Sequence, residues 1–324
     1  DQQFQDYQAA AALTRMDLAN LLARLRFAEA HEPADRVIRL SAQTEQLLGA
    51  LGLPAALAEV VAVHQHAAAH LDQQPWSHTR FLAAVREVER LRAAGQYQEA
   101  VVAARALHEQ CQHAGEAAYH EAAYDAAQAS YAYACTLRET GQPAAGLDHA
   151  REAEKALARL AAEVDADAQR MVNVSKTEQA NCLYSLGRFE AANKAYAEAA
   201  AEAEQSGNQR GAAVASSMRG QALGALGRWD EALQAYEQAA RDFGTAGEPR
   251  SVAEVCMGIG QTHREQGEDK LAEAALLKSL RIRTQERDVA GQAKTLNELG
   301  LLYDQQGHHE EAVSAYRQVR DCYR

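Results

Sequence analysis

The chain has 324 residues, of which 47% are hydrophobic and 24% charged, and its formal net charge is −12 at pH 7. This length suits two globular domains or one elongated array. The acidic balance argues against a nucleic-acid binder and against attachment to an anionic membrane, because both need clustered Lys and Arg. The sequence contains no run of about 18 apolar residues, so it predicts no membrane span.

Cysteine and alanine usage narrow the class of protein further. Five cysteines are scattered along the chain, an odd number without paired spacing. This pattern predicts reduced thiols and a cytoplasmic location. Alanine is abundant, which favours helices. Runs rich in Val, Ile and Thr are few, so strands are not expected.

The chain begins with helical periodicity. Apolar residues at helical spacing predict one helix over residues 1 to about 30 and a second over about 34–51. We assign residues 1–80 to a helical lead. Because Gly52–Ala56 resembles Gly141–Ala145, it stays open whether this lead contains one degenerate repeat.

A turn segment then recurs along the rest of the chain. Its clearest copy, Gly-Arg-Trp-Asp-Glu-Ala-Leu, begins at Gly227, and related copies follow a period of 40 residues (227 − 187 = 40; 267 − 227 = 40; 307 − 267 = 40). Earlier copies are 46 residues apart (141 − 95 = 46; 187 − 141 = 46), and we place the extra residues in Gly115–Tyr119 and Ala162–Asp167. A fixed period in this range predicts a solenoid. The turn glycines are Gly95, Gly141, Gly187, Gly227, Gly267 and Gly307.

Small residues stand at fixed distances from these turns. A glycine precedes the turn by seven residues at Gly220, Gly260 and Gly300, and a large apolar residue follows it by nine, as at Tyr236 and Leu276. A small residue facing a large one lets two helices approach closely. The turn glycine ends the first helix in the left-handed conformation that glycine adopts readily. Each repeat is therefore predicted to consist of a helix, a tight turn and a second helix.

The pattern Leu299-Gly300-x-x-Tyr303-x-x-x-Gly307-x-x-x-x-Ala312-x-x-x-Tyr316 resembles the tetratricopeptide repeat. The usual repeat has about 34 residues, so the copies here imply longer helices. The resemblance covers about three quarters of the chain and implies an all-α fold, a right-handed α-α superhelix of helix hairpins. It assigns residues 81–324 to an array of about six helix pairs.

In such an array the first helix of each pair lines the concave face. Positions about three, six and ten residues before each turn glycine are not fixed by packing, so their side chains are available for recognition. Amide, guanidinium and phenol groups there suit the backbone of an extended peptide. The alternative is that they are ordinary solvated side chains on a curved surface. The predicted ligand-binding residues are Tyr131, Arg138, Thr177, Asn181, Tyr184, Ser217, Gln221, Gln261, Arg264, Asn297 and Asp304.

Patterns typical of catalysis or metal binding are weak. His64, His66 and His70 on the third predicted helix are interpreted as solvated histidines, and the segment His108–His113 falls short of four zinc ligands. A phosphate-binding loop and a nucleophile elbow are missing from the sequence. We therefore predict that these residues form no enzyme and hold no cofactor and no metal.

These observations favour a protein-recognition scaffold. Ala-rich 40-residue repeats behind a lead containing Trp76-Ser77-His78-x-x-Phe81 resemble the C-terminal sensor array of bacterial signal-transduction ATPases of the STAND type. That resemblance implies a protein or peptide ligand in the groove, with effector and nucleotide-switch domains outside these residues. Two alternatives stay open. One is an assembly adaptor that holds two protein partners without switching, and the other is a regulatory domain fused to a protease or other enzyme.

Overall fold

The computed structural model describes residues 2–51, 53–71, 75–161 and 166–323. Within these ranges the chain forms fifteen α-helices and no strand, as predicted. None of the helices in the described ranges has the length and apolarity needed to cross a membrane. The helices are α1 (Gln2–His31), α2 (Ala34–Leu51), α3 (Pro54–Ala69), α4 (His78–Ala93), α5 (Tyr97–Ala114), α6 (Ala122–Glu139), α7 (Pro143–Ala161), α8 (Ala166–Ser185), α9 (Phe189–Gln205), α10 (Gln209–Ala225), α11 (Trp229–Thr245), α12 (Pro249–Gln266), α13 (Asp269–Gln285), α14 (Val289–Gln305) and α15 (His309–Cys322).

The chain divides into two compact units. The N-terminal unit comprises residues 8–186, and the C-terminal unit comprises residues 187–324 together with residues 1–7. The N-terminal unit contains most of the helical lead and the longer repeats. The C-terminal unit contains the repeats with the 40-residue period.

The helices of the lead share a hydrophobic core of their own. Leu25, Ile38, Leu48 and Val60 from α1, α2 and α3 are almost completely buried in one cluster. The bounds of α1 and α2 agree with the periodicity of the sequence, because an apolar stripe at helical spacing forms wherever it can be buried. Gly52 lies outside the described residues, so a degenerate repeat in the lead stays a prediction.

In the N-terminal unit, hairpins α4/α5 and α6/α7 are followed by α8. Phe81, Val88, Leu107 and Leu137 form a buried cluster between α4, α5 and α6. The link between α5 and α6 covers residues 115–121, which confirms that this region accommodates extra residues of the longer repeat. Residues 162–165 of the second predicted insertion lie outside the described residues.

The tight turns have the predicted conformation. All six turn glycines have φ between +72° and +78°, the left-handed region that glycine enters without a Cβ clash. At Gly227 the turn is closed by the following amide, because Arg228 N–H donates to the carbonyl of Leu223 at 3.0 Å. This is the hydrogen bond of a Schellman motif, and it satisfies a carbonyl at the end of α10.

The close approach of helices at the small residues is also confirmed in the C-terminal unit. A Cβ on Gly220 would lie 2.8 Å from the ring of Tyr236, and one on Gly260 would lie 2.7 Å from Cγ of Leu276. Both distances are shorter than van der Waals contact. Glycine at these positions therefore lets α10 pack on α11 and α12 pack on α13.

One interpretation of the lead is wrong. His64 is completely buried between α2 and α3, with Nδ1 2.9 Å from Ser41 Oγ and 3.1 Å from Glu45 Oε1. The polar partners on α2 satisfy Nδ1, as a buried ring nitrogen requires, whereas Nε2 is buried and has no hydrogen-bond partner among the described residues. His66 and His70 are exposed, as predicted.

The cysteines are free thiols, and four of the five are buried. Burial raises the pKa of Cys111 and of Cys182 to about 12. These thiols are therefore protonated at neutral pH and act as small apolar groups in the helix packing.

Candidate functional site

The first helices of the hairpins form a continuous layer in the N-terminal unit, since α4 contacts α6 and α6 contacts α8. On this layer Arg138 Nε donates to Glu178 Oε1 at 2.6 Å, and Asn181 Nδ2 donates to Glu178 Oε2 at 2.8 Å. The side chain of Glu178 is only 3% exposed. Two predicted ligand-binding residues thus converge on one buried carboxylate that the sequence analysis missed.

The same network continues onto α4. Arg92 binds Glu139 through two hydrogen bonds of 2.7 and 2.6 Å, and Arg138 approaches Glu139 to 3.5 Å. Burial acts to raise the pKa of Glu139, but the hydrogen bonds from Arg92 and the positive charges of Arg92 and Arg138 together outweigh it, so the pKa lies below its ordinary value. These side chains therefore form one chain of contacts across three first helices. We call it the N-terminal polar ladder: Arg92, Glu139, Arg138, Glu178 and Asn181.

The other predicted residues of the N-terminal unit have different surroundings. Tyr131 packs against the cluster around Leu157, and its burial raises its pKa well above the ordinary value. Thr177 donates to the carbonyl of Asn173 on its own helix at 2.9 Å. Tyr184 is half-buried near the end of α8. Tyr131 therefore contributes to packing more than to an open surface.

The C-terminal unit repeats the central contact of the ladder. Arg264 on α12 donates to Glu298 Oε2 on α14 at 2.8 Å and to Glu265 at 3.2 Å. Arg264 Nε is buried and has no hydrogen-bond partner among the described residues. Asp304 on α14 lies 3.1 Å from His309 at an exposed position.

Both Arg–Glu pairs occupy the same places in the repeat. The arginine stands three residues before its turn glycine (141 − 138 = 3; 267 − 264 = 3), and the glutamate stands nine before the next (187 − 178 = 9; 307 − 298 = 9). A search of the sequence for opposite charges at these two offsets would have found both glutamates. The offsets connect adjacent first helices, which a count within one helix does not reveal.

In the C-terminal unit, amide side chains occupy a second repeated position of the first helices. Gln221 on α10 and Gln261 on α12 lie at equivalent positions of contacting helices and are half-buried. Asn297 on α14 is exposed. Ser217 is only 5% exposed, so it does not face an open surface.

A cavity in the N-terminal unit lies away from all of these residues. It has a volume of about 420 Å³ and lies between α3, α4 and α5, and its lining includes Trp76, Arg80, Arg90 and Gln110. The guanidinium of Arg80 stacks over the Trp76 ring at 5.4 Å. None of the predicted ligand-binding residues belongs to this cavity.

The sequence of the later repeats matches a known repeat family. The family model described as tetratricopeptide repeat matches residues 172–243 and 251–324. These two stretches contain the repeats with the 40-residue period. A search of the curated proteins gives no match.

Solved structures with similar folds cover most of the chain. Aspartyl phosphate phosphatase F from Bacillus subtilis has a TM-score of 0.62 at 14% identity, over 93% of this chain and 74% of that one. A STAND signal-transduction ATPase with a tetratricopeptide repeat sensor, from Pyrococcus horikoshii, has a TM-score of 0.61 at 10% identity, over 99% of this chain and 49% of that one. A Rap protein complexed with competence and sporulation factor has a TM-score of 0.58 at 12% identity, over 95% and 98%.

Identities this low establish the fold alone. The fold is the one that the turn glycines and the helix hairpins already indicate, and the family match falls on the same repeats. Residues 172–243 and 251–324 are accordingly tetratricopeptide repeats, and the helix hairpins of the chain share the fold of solved tetratricopeptide structures.

Proposed function

We propose that the chain is a non-catalytic scaffold that binds a peptide or protein segment along the first helices of its hairpins. The observation that carries this proposal is the layer of contacting first helices with polar side chains in repeated register. The guanidinium of Arg138 is partly exposed, so it can donate further hydrogen bonds to a ligand while it keeps its contact with Glu178. The net charge of −12 favours a protein ligand over nucleic acid.

The ligand class follows from the side chains. The amides of Gln221, Gln261 and Asn297 both donate and accept, as the backbone of an extended peptide requires. The other proposed contacts are Arg138, Asn181, Arg264 and Asp304, with Tyr131, Thr177 and Tyr184 beside them. Two similar structures, both of Rap proteins, hold a bound factor or peptide in their complexes. Those ligands belong to those proteins, and they support only the kind of ligand proposed here.

A displayed random-peptide library tests the groove. We expect peptides selected on the wild-type chain to bind a Gln221→Ala, Gln261→Ala double variant at least about tenfold more weakly, a loss of about 1.4 kcal/mol. Gln234→Ala is the matched control, since Gln234 is an exposed residue of the second helix α11. Equal binding to all three proteins, or no selected peptides at all, would contradict the proposal.

We infer further that the chain is the ligand-sensing region of a larger bacterial STAND-type ATPase in the cytoplasm. The similar Pyrococcus protein is about twice as long as this chain and is named for such a sensor. Binding in the groove would then release a nucleotide switch that lies outside these residues. Sequencing the full gene tests this version, because it requires a Gly-x-x-x-x-Gly-Lys-Ser/Thr loop upstream.

Two other roles have distinct signatures. An assembly adaptor would bring down two partners together in a pull-down, whereas a sensor would bind one trigger. A regulatory domain would be followed or preceded by a protease or other enzyme in the gene. One similar structure is named an aspartyl phosphate phosphatase, and hydrolysis of an aspartyl phosphate by the purified chain would contradict the non-catalytic proposal.

A further inference from the structure

A cluster of metal-binding side chains lies on second helices of the N-terminal unit, away from the polar ladder. His108 belongs to α5, and His149 and Glu152 belong to α7 of the next hairpin. Each offers one ligand atom, and the three atoms lie within 4.8 Å of one another. This spacing suits a single ion that all three residues contact.

The two α7 ligands are already arranged. His149 and Glu152 are one turn apart, and His149 Nδ1 lies 3.2 Å from Glu152 Oε2. The rings of His149 and His108 meet edge to face with centroids 5.0 Å apart. The ring of Tyr133 lies 4.7 Å from His149 and 5.8 Å from His108, so it forms a wall beside both imidazoles.

Hydrogen bonds select one tautomer of His108. Ser130 Oγ donates to the carbonyl of Ala126 at 3.2 Å, so it accepts from Nδ1 of His108, also at 3.2 Å. His108 therefore carries its proton on Nδ1, and Nε2 accepts from the amide of Gln112 at 2.9 Å. A second hydrogen bond that fixes the ring and leaves one lone pair is the usual support of a metal-binding histidine. Gln112 is exposed and can turn away.

The carboxylate of Glu152, beside both imidazoles, supplies negative charge for a cation.

We propose that His108, His149 and Glu152 bind one divalent transition-metal ion, with Zn²⁺ as the leading candidate. Two imidazoles and one carboxylate match the ligand preference of first-row dications. Three protein ligands leave a coordination position for water or for a donor from a binding partner. The ion would connect hairpin α4/α5 to hairpin α6/α7. The sequence alone predicts no metal here, because the segment His108–His113 falls short of four zinc ligands and the two α7 ligands lie far away along the chain.

Metal titration of the whole chain tests the site. After treatment with a chelator, the wild-type protein should bind one equivalent of Co²⁺ with a visible absorption band, and Zn²⁺ should displace it. His149→Gln and Glu152→Gln should each weaken Zn²⁺ binding at least about tenfold in calorimetry. Zn²⁺ should raise the thermal midpoint of the wild-type protein and not that of His149→Gln, because an ion that binds only the folded chain stabilises it.

The controls separate this site from other histidines. His113→Gln changes an exposed histidine of α5, and a His66→Gln, His70→Gln double variant removes the exposed pair at the C-terminal end of α3. Both should bind the metal as the wild type does. His149 and Glu152 are partly exposed, so circular dichroism of their variants should match the wild type. Wild-type binding in His149→Gln, or failure of the wild type to bind one equivalent, would overturn the proposal.

Discussion

Several links between helices contain one residue with left-handed backbone, and at this residue the choice of amino acid matters most for stability. Glycine occupies this position in most of the tight links and turns, and Gly207, with φ of +71°, is an example. Arg287 is the one residue other than glycine with positive φ in the described ranges, at +52°. Its amide donates to Thr284 and the next amide, of Asp288, donates to Arg283, so it serves the same hydrogen bonds as the glycines.

Arg287→Gly should therefore stabilise the protein. Left-handed backbone costs about 1–2 kcal/mol for an L-residue, and the greater freedom of glycine in the unfolded chain removes part of that gain. We expect the free energy of unfolding to rise by about 0.5–1 kcal/mol. The measurement is urea unfolding followed by circular dichroism.

Gly207→Ala is the converse control. A Cβ at Gly207 meets no atom within 4 Å, so only the backbone conformation is affected. The free energy of unfolding should fall by about 1 kcal/mol. If both variants shift stability in the same direction, the backbone explanation is wrong.

The glycines that the backbone requires could be predicted from the sequence. The partners of buried polar side chains could not. Gly227 and Gly220 stand at fixed offsets because a turn and a close helix contact each require glycine. His64 is different, since its burial depends on Ser41 and Glu45 of another helix. Sequence spacing within α3 contains no information about those partners.

At the scale of elements, α4 is joined to α6 by a buried ionic contact. His78, the first residue of α4, places Nδ1 2.8 Å from Asp125 Oδ2, and Tyr119 of the α5–α6 link donates to the same oxygen at 2.8 Å. Asp125 is completely buried. The contact holds the long link, the start of α4 and the start of α6 together.

This contact predicts a pH dependence of stability. The hydrogen bond that His78 donates to Asp125 raises the pKa of His78, aided by the charges of Asp125 and Glu121 and opposed by burial and Arg39. The folded protein therefore keeps the imidazolium to higher pH than the unfolded chain, whose histidine titrates near about 6.5. The stabilisation is complete below that pH and is lost as pH rises through the raised pKa.

Asp125→Asn should flatten this dependence. We expect the free energy of unfolding of the wild type to decrease by more than that of the variant as the pH rises above about 6.5 and through the raised pKa of His78. The reason is that the variant removes the charge that raises the pKa of His78. His120→Gln, at a histidine whose side chain is 95% exposed, should keep the wild-type slope. Equal slopes in wild type and Asp125→Asn would refute the explanation.

The helices themselves were predictable to within a few residues. Strong periodicity and a glycine at each turn define their ends, as for α10 and α11. The contact between His78 and Asp125 was not predictable, because it joins residues 47 positions apart across a link of unusual length. The link was located by the change in period, and its side-chain contacts were not.

At the scale of the whole molecule, each unit contains, among the described residues, one Arg–Glu pair at the same two repeat offsets, and the N-terminal unit also contains the pair Arg92–Glu139 at other offsets. In the N-terminal unit Arg138 pairs with Glu178, and in the C-terminal unit Arg264 pairs with Glu298. The two pairs have the same position in the repeat and different partners. Repeat proteins are stabilised by contacts between neighbours, so each pair should act on its own surroundings.

The repeat explains which part of the candidate site could be predicted. Its period located the first helices, and thus Arg138, Asn181 and Arg264, on the layer that the structure shows. It did not reveal Glu178 or Glu298, because the pairing runs from one repeat to the next. Whether these residues bind a ligand depends on how readily the internal pairs open, which stability measurements can determine.

Substitution of both arginines tests whether the pairs act independently. Arg138→Gln leaves the almost buried Glu178 with Asn181 as its main partner, so we expect a loss of about 2–3 kcal/mol. Arg264→Gln should cost about 1–2 kcal/mol, because Glu298 is 17% exposed and keeps more water. Since their partners differ, the two losses should add in the double variant to within about 0.5 kcal/mol.

A double-mutant cycle within one Arg–Glu pair provides the contrasting case. Arg138→Gln and Glu178→Gln remove the same contact, so the double variant should be more stable than the sum of the single losses by about 1–2 kcal/mol. Urea unfolding of all variants supplies both comparisons. An interaction energy between Arg138→Gln and Arg264→Gln as large as that within the Arg138–Glu178 pair would mean that the pairs are energetically coupled. A ligand bound to one set of first helices would then change the stability of the other, which independent pairs cannot do.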